Sequence, residues 1–210
     1  MQSSTNMPTI YQLKSRFQAI LRPMVKNLAL SGVTANQVTL SAIVLSALGG
    51  LYMLIAPEAR LPWLLLSPLL FIRMALNAID GMLAREYNMQ SKLGAILNEL
   101  GDVLSDIFLY LPFALIIGVE SWIVVIICLL AVISEMTGLI SIQIGANRRY
   151  DGPMGKSDRA FVFGTVGLLL GLGIISVFWL NIIFAIVVLL LLITIYNRAN
   201  NALKEAEKRA

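Results

Sequence analysis

Six long apolar stretches constrain the fold of this 210-residue chain more than any other feature. Each is close to the ~20 residues that a helix needs to cross a bilayer. They lie at 38–56, 61–85, 92–119, 121–145, 157–178 and 180–196, with Pro, Gly, Asn or charged residues between them. Inside a membrane the backbone must satisfy its own hydrogen bonds, and no alternating strand pattern is present. The sequence therefore predicts an all-α integral membrane protein with six transmembrane helices.

The composition agrees with this fold class and narrows the chemistry. The chain is 58% hydrophobic and only 13% charged, against about 25% charged residues in soluble domains. It has no histidine and one cysteine, Cys128, which excludes disulfides, Cys/His zinc sites and Ser-His-Asp catalysis. Acid–base or metal chemistry must therefore come from carboxylates, with amides and lysine as helpers.

The basic residues predict the orientation of the chain. With six helices, every lysine and arginine falls on one side of the membrane except Arg60, in an opposite loop, and Arg73, within the second span. The positive-inside rule makes that side cytosolic, so both termini are predicted to lie in the cytosol. The net charge of +4 is thus a topology signal, and it does not predict nucleic-acid binding.

A separate amphipathic segment precedes the first span. Its apolar residues recur at helical spacing, which predicts a helix lying on the cytosolic leaflet: Ile10, Leu13, Phe17, Leu21 and Met24. Pro23 is expected to kink or end this helix. The predicted organisation is a juxtamembrane segment (1–34), a membrane domain (35–199) and a short cytosolic tail (200–210).

Acids and amides interrupt the second and third apolar stretches near their cytosolic ends. Asn77 and Asp80 are three positions apart and Asn98 and Asp102 are four apart, so each pair shares a helix face. Facing each other, these pairs would form a shallow polar pocket that opens to the cytosol. Oxygen ligands of this kind suit Mg²⁺ or Mn²⁺.

The same stretch resembles a family motif. The CDP-alcohol phosphotransferases (CDP-alcohol phosphatidyltransferases), class I, carry D-x-x-D-G-x-x-A-R-x8-G-x3-D-x3-D. This chain matches the motif, with every spacing intact, at Asp80, Gly81, Ala84, Arg85, Gly94 and Asp102. "TANQVTL" is similar to the family's T-P-N-x-x-T element at Asn36 and Thr39, with Ala35 in place of proline. The chain looks closest to small bacterial inner-membrane members.

The resemblance implies a reaction and a set of roles. CDP-diacylglycerol would bind with its cytidine diphosphate in the cytosolic pocket, against Asn36, Thr39, Gly81, Ala84, Arg85 and Gly94. Divalent ions, Mg²⁺ or Mn²⁺, would be held by Asp80, Asp102, Asn77 and Asn98. Asp102 would take the proton from an acceptor hydroxyl, CMP would leave, and the product would be a phospholipid. Asn77 and Asn98 replace two family aspartates, which predicts a weaker two-metal site.

The basic segment "NRRYDGPMGKSDRA" gives the expectation for the acceptor. Lys156, Ser157 and Arg159 would bind the phosphate of an acceptor such as glycerol 3-phosphate or an inositol phosphate. The alternative is a plain topology signal. Glu99 either joins the metal site or points to headgroup water.

Three residues on different predicted helices lie at a common, deeper level. Arg73, Asp106 and Glu135 are each ~18–21 Å from the cytosolic end of their helix. Charges at that depth are expected to face the bundle interior and pair. We expect a structural ion cluster in which Arg73 binds Asp106, Glu135 or both. The alternative gives Asp106 to the metal and leaves Arg73 to a lipid phosphate.

Other functions and assemblies are weaker alternatives. The asparagine substitutions also fit a relative that binds a CDP-lipid or metal without turnover. A transporter is disfavoured, because no second copy of the polar helix pair is present. Gly167 and Gly171 have a small-xxx-small spacing, which favours internal helix packing over a homodimer seam.

Overall fold

The structure, a computed structural model, describes residues 10–209. Over that range the chain forms seven α-helices and one short 3-10 segment, and contains no strand. The helices are α1 (Ile10–Leu30), α2 (Ala35–Ile55), α3 (Arg60–Glu86), α4 (Lys92–Tyr110), α5 (Ser121–Gln143), α6 (Lys156–Gly171) and α7 (Val177–Glu207). The 3-10 segment, Leu111–Leu115, follows α4. The all-α prediction is confirmed.

Among the described residues, four helices are long and apolar enough to cross a membrane: α2, α3, α5 and α7. The other two predicted spans differ for separate reasons. α4 has 19 residues but carries Lys92, Glu99, Asp102 and Asp106, and α6 has only 16 residues. Length and hydropathy therefore support four of the six predicted spans.

The predicted helix boundaries fail where proline or glycine lies inside an apolar run. The predicted third span continues to residue 119, but α4 ends at Tyr110 and the 3-10 segment follows, with Pro112 as its second residue. Proline has no N–H to continue the α-helical ladder. The predicted fifth span continues to residue 178, but α6 ends at Gly171. Gly173 follows with a φ of 71°, a conformation that glycine adopts without a Cβ clash.

Two other helices are longer than predicted. α7 continues eleven residues past Tyr196, to Glu207, because this segment is rich in Ala, Leu, Lys and Glu, which favour helix. α1 passes through Pro23 and ends only at Leu30, so Pro23 does not end this helix, and the alternative that it kinks the helix stays a prediction. Leu21 and Val25, on either side of the proline, are both buried, and this packing holds the two turns together.

The chain divides into two compact units. The first contains the described residues up to Ala42 together with Ile72–Gly101. Its core joins α1, the start of α2 and the end of α3, through Leu21, Val25, Ala35, Val38, Ile79, Met82 and Leu83. Leu21 of the predicted amphipathic stripe therefore packs against protein, whereas Met24 is exposed.

The second unit contains Ile43–Phe71 and the described residues from Asp102 onward. An aromatic group lies at its centre: the rings of Tyr110 and Phe163 stack with centroids 4.0 Å apart, and Phe163 also stacks on Phe184 at 5.6 Å. The glycine face of α6 packs internally on α3. A Cβ on Gly171 would lie 2.8 Å from the backbone nitrogen of Leu64, so α6 can approach α3 this closely only because the residue is glycine.

Candidate active site

A cavity of about 420 Å³ lies in the first unit. Helices α2, α3 and α4 and the linker before α4 form its walls. Its lining contains eight residues predicted from the sequence for the CDP and metal sites: Asn36, Thr39, Asp80, Gly81, Ala84, Arg85, Gly94 and Asn98. The remaining lining residues are Ala35, Met89, Gln90, Ser91, Ala95 and Glu99. We call this cavity the polar pocket.

Asp80 is the buried carboxylate of the polar pocket. Its side chain is 5% exposed, and the Thr39 hydroxyl donates a hydrogen bond to Asp80 Oδ2 at 2.7 Å. The same hydroxyl also lies 3.1 Å from the carbonyl oxygen of Ala35, one turn back on α2. A side chain of α2 therefore orients the carboxylate of α3 where that carboxylate lines the cavity.

The amino end of α4 forms another wall. The Ser91 hydroxyl accepts a hydrogen bond from the Gly94 N–H at 2.9 Å, which is the geometry of a helix N-cap. The Asn36 amide donates to the same hydroxyl at 3.3 Å. A Cβ on Gly94 would lie 2.6 Å from Asn36 Oδ1, so a side chain at this position would displace the Asn36 amide.

The polar pocket combines both signs of charge. Exposed Arg85 and the amino end of α4, with its partial positive charge, attract anions such as phosphates. Asp80 and Glu99 supply carboxylates, and Asn98 supplies an amide. The sequence leaves open whether Glu99 joins the metal site or points to headgroup water, and in the structure Glu99 lines the cavity.

This donor set fits a hard divalent cation. All of its ligating atoms are oxygens, as Mg²⁺ and Mn²⁺ prefer. Over residues 10–209 no group of three or more acids or cysteines converges to form a metal cage. Mg²⁺ is commonly held by one or two carboxylates together with substrate phosphates. The pocket therefore suits an ion that takes some of its ligands from the protein and the others from a bound diphosphate.

Of the residues predicted for the CDP and metal sites, two lie outside this lining. Asn77 is partly buried, one helical turn before Asp80 on α3. Asp102, on α4, belongs to the second unit, where the Lys156 ammonium donates a hydrogen bond to its Oδ1. The predicted base and a predicted acceptor-binding residue are thus direct partners.

Deeper in the second unit, Asp106, Glu135, Arg159 and Arg198 form what we call the buried ion cluster. Arg159 Nε donates to Asp106 Oδ2 at 2.9 Å, and Arg159 Nη2 donates to Glu135 Oε1 at 3.1 Å. Arg198 Nη1 lies 3.4 Å from Glu135 Oε2. All four side chains are at most 11% exposed. Asp106 and Glu135, the two acids that the sequence places in one ion cluster, therefore share Arg159 as a partner.

Arg159 binds both Asp106 and Glu135, whereas the sequence predicts Arg73 for this role. The sequence predicts acceptor binding for Arg159, but this residue is 2% exposed and its guanidinium is directed at protein acceptors. Arg73 is also 2% exposed and belongs to the first unit. Its pairing with Asp106 or Glu135 stays a prediction.

The loop between α5 and α6 carries a second, more exposed charge pair. Arg149 donates two hydrogen bonds to Asp151, one from Nε to Oδ2 and one from Nη2 to Oδ1, each 2.7 Å long. These bonds lower the pKa of Asp151 below its ordinary value and raise the pKa of Arg149. Arg149 Nη1 also donates to Glu205 at 2.9 Å, which attaches the loop to α7.

Sequence reasoning misses two residues that organise these sites. Ser91 is not part of any predicted site, although a serine directly before a helical run is an N-cap signal. Arg198 is predicted only as a cytosolic residue after the last span. A usable signal exists, because Arg198 continues the three- and four-residue spacing of the buried face of α7. The members of that face are Leu180, Phe184, Val187, Leu191, Thr194, Arg198 and Ala202.

Comparison with known proteins agrees with the family resemblance of the sequence motifs. Residues 32–196 match the model of the CDP-alcohol phosphatidyltransferase family. The chain is 47% identical over 195 residues to the inner membrane protein YnbA of Escherichia coli (strain K12), an alignment that covers 93% of this chain and 96% of that protein. It is also 33% identical over 96 residues to an uncharacterized protein of Aquifex aeolicus (strain VF5), covering 45% of this chain and 46% of the relative.

Proposed function

The chain belongs to the CDP-alcohol phosphatidyltransferase family, and from that premise we propose that it transfers a phosphatidyl group from CDP-diacylglycerol to a hydroxyl acceptor. One observation carries this proposal. Eight residues assigned from the family motifs, although distributed between positions 36 and 98, line one cavity in the first unit. That cavity presents a cationic side chain, a helix amino end and a buried carboxylate, which is the chemistry that a nucleoside diphosphate with a divalent ion requires.

The polar pocket would bind the cytidine diphosphate end of the donor. Arg85 and the N–H groups at the start of α4 would donate hydrogen bonds to phosphate oxygens. Gly81, Ala84 and Gly94 present little side-chain bulk, so a ligand can approach the helix backbones. Asn36 and Thr39 complete the wall on α2.

Asp80 and Asn98 would hold a divalent cation in this pocket, with Asn77 and Asp102 as the further ligands that the motif assigns. Mg²⁺ or Mn²⁺ in that position would neutralise negative charge on the diphosphate. Amides provide a ligand oxygen without charge, which favours one firmly held ion over two. Glu99 is an additional carboxylate that this wall offers.

Asp102 is proposed as the general base of the transfer. It would accept the proton of the acceptor hydroxyl as that oxygen forms a bond to the lipid-bearing phosphorus. The bond between this phosphorus and the bridging oxygen breaks, and CMP leaves with the electron pair. Lys156, which donates a hydrogen bond to Asp102, would orient the carboxylate. Ser157 is exposed one residue later and is proposed to contact the acceptor.

We also propose six membrane crossings, with both termini and the polar pocket on the cytosolic side of a bacterial inner membrane. The distribution of lysine and arginine supports this topology. α1 would lie on the leaflet surface, because Ile20, Met24 and Leu30 are exposed apolar side chains on a helix that also carries Arg22 and Lys26. Its other face packs within the first unit.

A second candidate is a protein that binds a CDP-lipid and a cation without turnover. Asn77 and Asn98 favour it, because two family carboxylates are amides here. One experiment separates the candidates: purified protein is incubated with CDP-diacylglycerol, Mg²⁺ or Mn²⁺ and a panel of hydroxylated acceptors, and CMP release is measured. Release that depends on the acceptor supports the transferase. Saturable binding of CDP-diacylglycerol without release with any acceptor supports the second candidate.

A further inference from the structure

Five cationic side chains of the second unit, including the predicted acceptor-binding residues Lys156 and Arg159, each pair with a carboxylate of the same unit. The cations are Arg148, Arg149, Lys156, Arg159 and Arg198. The carboxylates are Asp102, Asp106, Glu135, Asp151 and Glu205. The protein itself therefore supplies anions to the groups that would otherwise recognise a phosphorylated acceptor.

Glu135 occupies the centre of this arrangement. Three guanidinium groups converge on its carboxylate: Arg159 at 3.1 Å, Arg198 at 3.4 Å and Arg148 at 3.8 Å. Convergent arginines are the geometry that binds a phosphate. Here the position is filled by a side-chain carboxylate that is only 11% exposed.

Backbone oxygens bind further donors of the same arginines. Arg159 Nη1 donates to the carbonyl of Met154 at 3.2 Å, and Arg198 Nε donates to the carbonyl of Asp151 at 3.2 Å. Arg198 Nη1 also donates to the carbonyl of Ser134. A phosphate would have to break these bonds and leave Glu135 buried beside a second anion, which is strongly unfavourable.

We infer that the acceptor is an uncharged hydroxyl compound, such as a polyol without a phosphate group. This inference rests on the proposed transferase function and replaces the phosphorylated acceptors that the basic segment suggested. Lys156 is likewise paired with a carboxylate of the protein, because its ammonium binds Asp102. The selectivity comes from Glu135, which acts as a built-in anion and excludes phosphate.

The first test compares acceptors in pairs that differ only by a phosphate. CMP release from CDP-diacylglycerol is measured with glycerol against glycerol 3-phosphate, and with myo-inositol against an inositol phosphate, at equal concentrations. The uncharged member should be preferred by about tenfold or more. A preference for the phosphorylated member overturns the inference while leaving the transferase function intact. Absence of release with every acceptor contradicts the proposed function instead.

The second test does not require turnover. Thermal stability in detergent is measured with inorganic phosphate against chloride at matched ionic strength, in the wild-type protein and in Glu135→Gln. Phosphate should stabilise the variant, in which Arg148, Arg159 and Arg198 have lost the Glu135 carboxylate, and should not stabilise the wild type. The same measurements are made in proteins that also carry Arg85→Met, which removes the cation of the polar pocket. Stabilisation by phosphate that persists in this background comes from the arginines around Glu135. Stabilisation of the wild type that persists in Arg85→Met overturns the inference, even where Glu135→Gln fails to fold.

Discussion

The hydroxyl of Thr39 on α2 donates a 2.7 Å hydrogen bond to the buried carboxylate of Asp80 on α3. The two residues come from separate motifs, 41 positions apart in the chain. Their contact connects the element resembling T-P-N-x-x-T to the aspartate motif. It gives Thr39 a specific task, which is to orient a carboxylate that is proposed to hold a divalent ion.

Replacing this threonine tests the task directly. Thr39→Val keeps the shape of the side chain and removes the donor. A hydrogen bond to a charged group contributes about 1.5–3 kcal/mol, so cation affinity and CMP release should fall by about tenfold or more. Thr137→Val is the matched control, because the Thr137 hydroxyl also bonds a carbonyl one turn back, at 2.8 Å, but lies on α5. Equal effects of the two changes would contradict an orienting role for Thr39.

The proposed base gives the largest predicted loss of activity. Asp102→Asn should lower CMP release by about 10²–10⁴-fold, the usual contribution of a general base, while the protein still folds and inserts into membranes. Asp158→Asn is a suitable control, since Asp158 is an exposed carboxylate in the first turn of α6 that bonds the Gly155 N–H at 2.9 Å. Near-normal CMP release in Asp102→Asn would remove Asp102 from the base role.

Local patterns predict the polar pocket well because its residues come from short segments. The spacing of Asp80, Gly81, Arg85 and Gly94 is fixed by two helices and one linker, so their convergence follows once those helices are recognised. The element containing Thr39 needs only one further helix contact. This is why eight predicted residues share one cavity.

The environment of Arg159 could not be predicted in the same way. It lies in the first turn of α6, next to a basic loop, and the sequence does not say which face of that turn is covered. The answer depends on α5 and on the rest of the second unit, which bring Glu135 and Ser134 to the guanidinium. Likewise, the end of α4 before Pro112 is hidden in the sequence by the apolar residues that continue past it.

Removing one member of the buried ion cluster should destabilise the fold. Arg159→Met removes one guanidinium from Asp106 and Glu135 and leaves them under-compensated in a buried setting. Loss of one partner from a buried ion pair typically costs about 3–5 kcal/mol, so thermal unfolding in detergent should occur at clearly lower temperature. Arg22→Met provides the control, because the pair of Arg22 with Glu86 is exposed and such pairs contribute about 0–1 kcal/mol. Similar melting temperatures for the two variants would contradict this role.

Arg73 is predicted to take part in the same stabilisation. It is buried, at 2% exposure, and its proposed partners are Asp106 and Glu135. Arg73→Met should therefore lower thermal stability with or without metal, and a double-mutant cycle with Asp106→Asn should give a coupling energy of about 0.5–3 kcal/mol. If Arg73→Met leaves stability unchanged and Asp106→Ala instead loses cation affinity, Asp106 belongs to the metal site.

The loop pair of Arg149 and Asp151 predicts a stability change with pH. The pKa of Asp151 is lowered in the folded protein, chiefly by its hydrogen bonds from Arg149, while the unfolded chain has the ordinary aspartate pKa of about 3.9. The ionised form is favoured by folding, so its stabilisation is fully present above that pKa and is lost as pH falls through the lower folded value. Melting temperatures of wild type and Asp151→Asn should differ most near neutral pH and converge in acid. Arg149→Met should remove the same pH-dependent difference, because it removes the partner. A gap between wild type and Asp151→Asn that stays constant down to strongly acidic pH would show that the ion pair does not stabilise the loop.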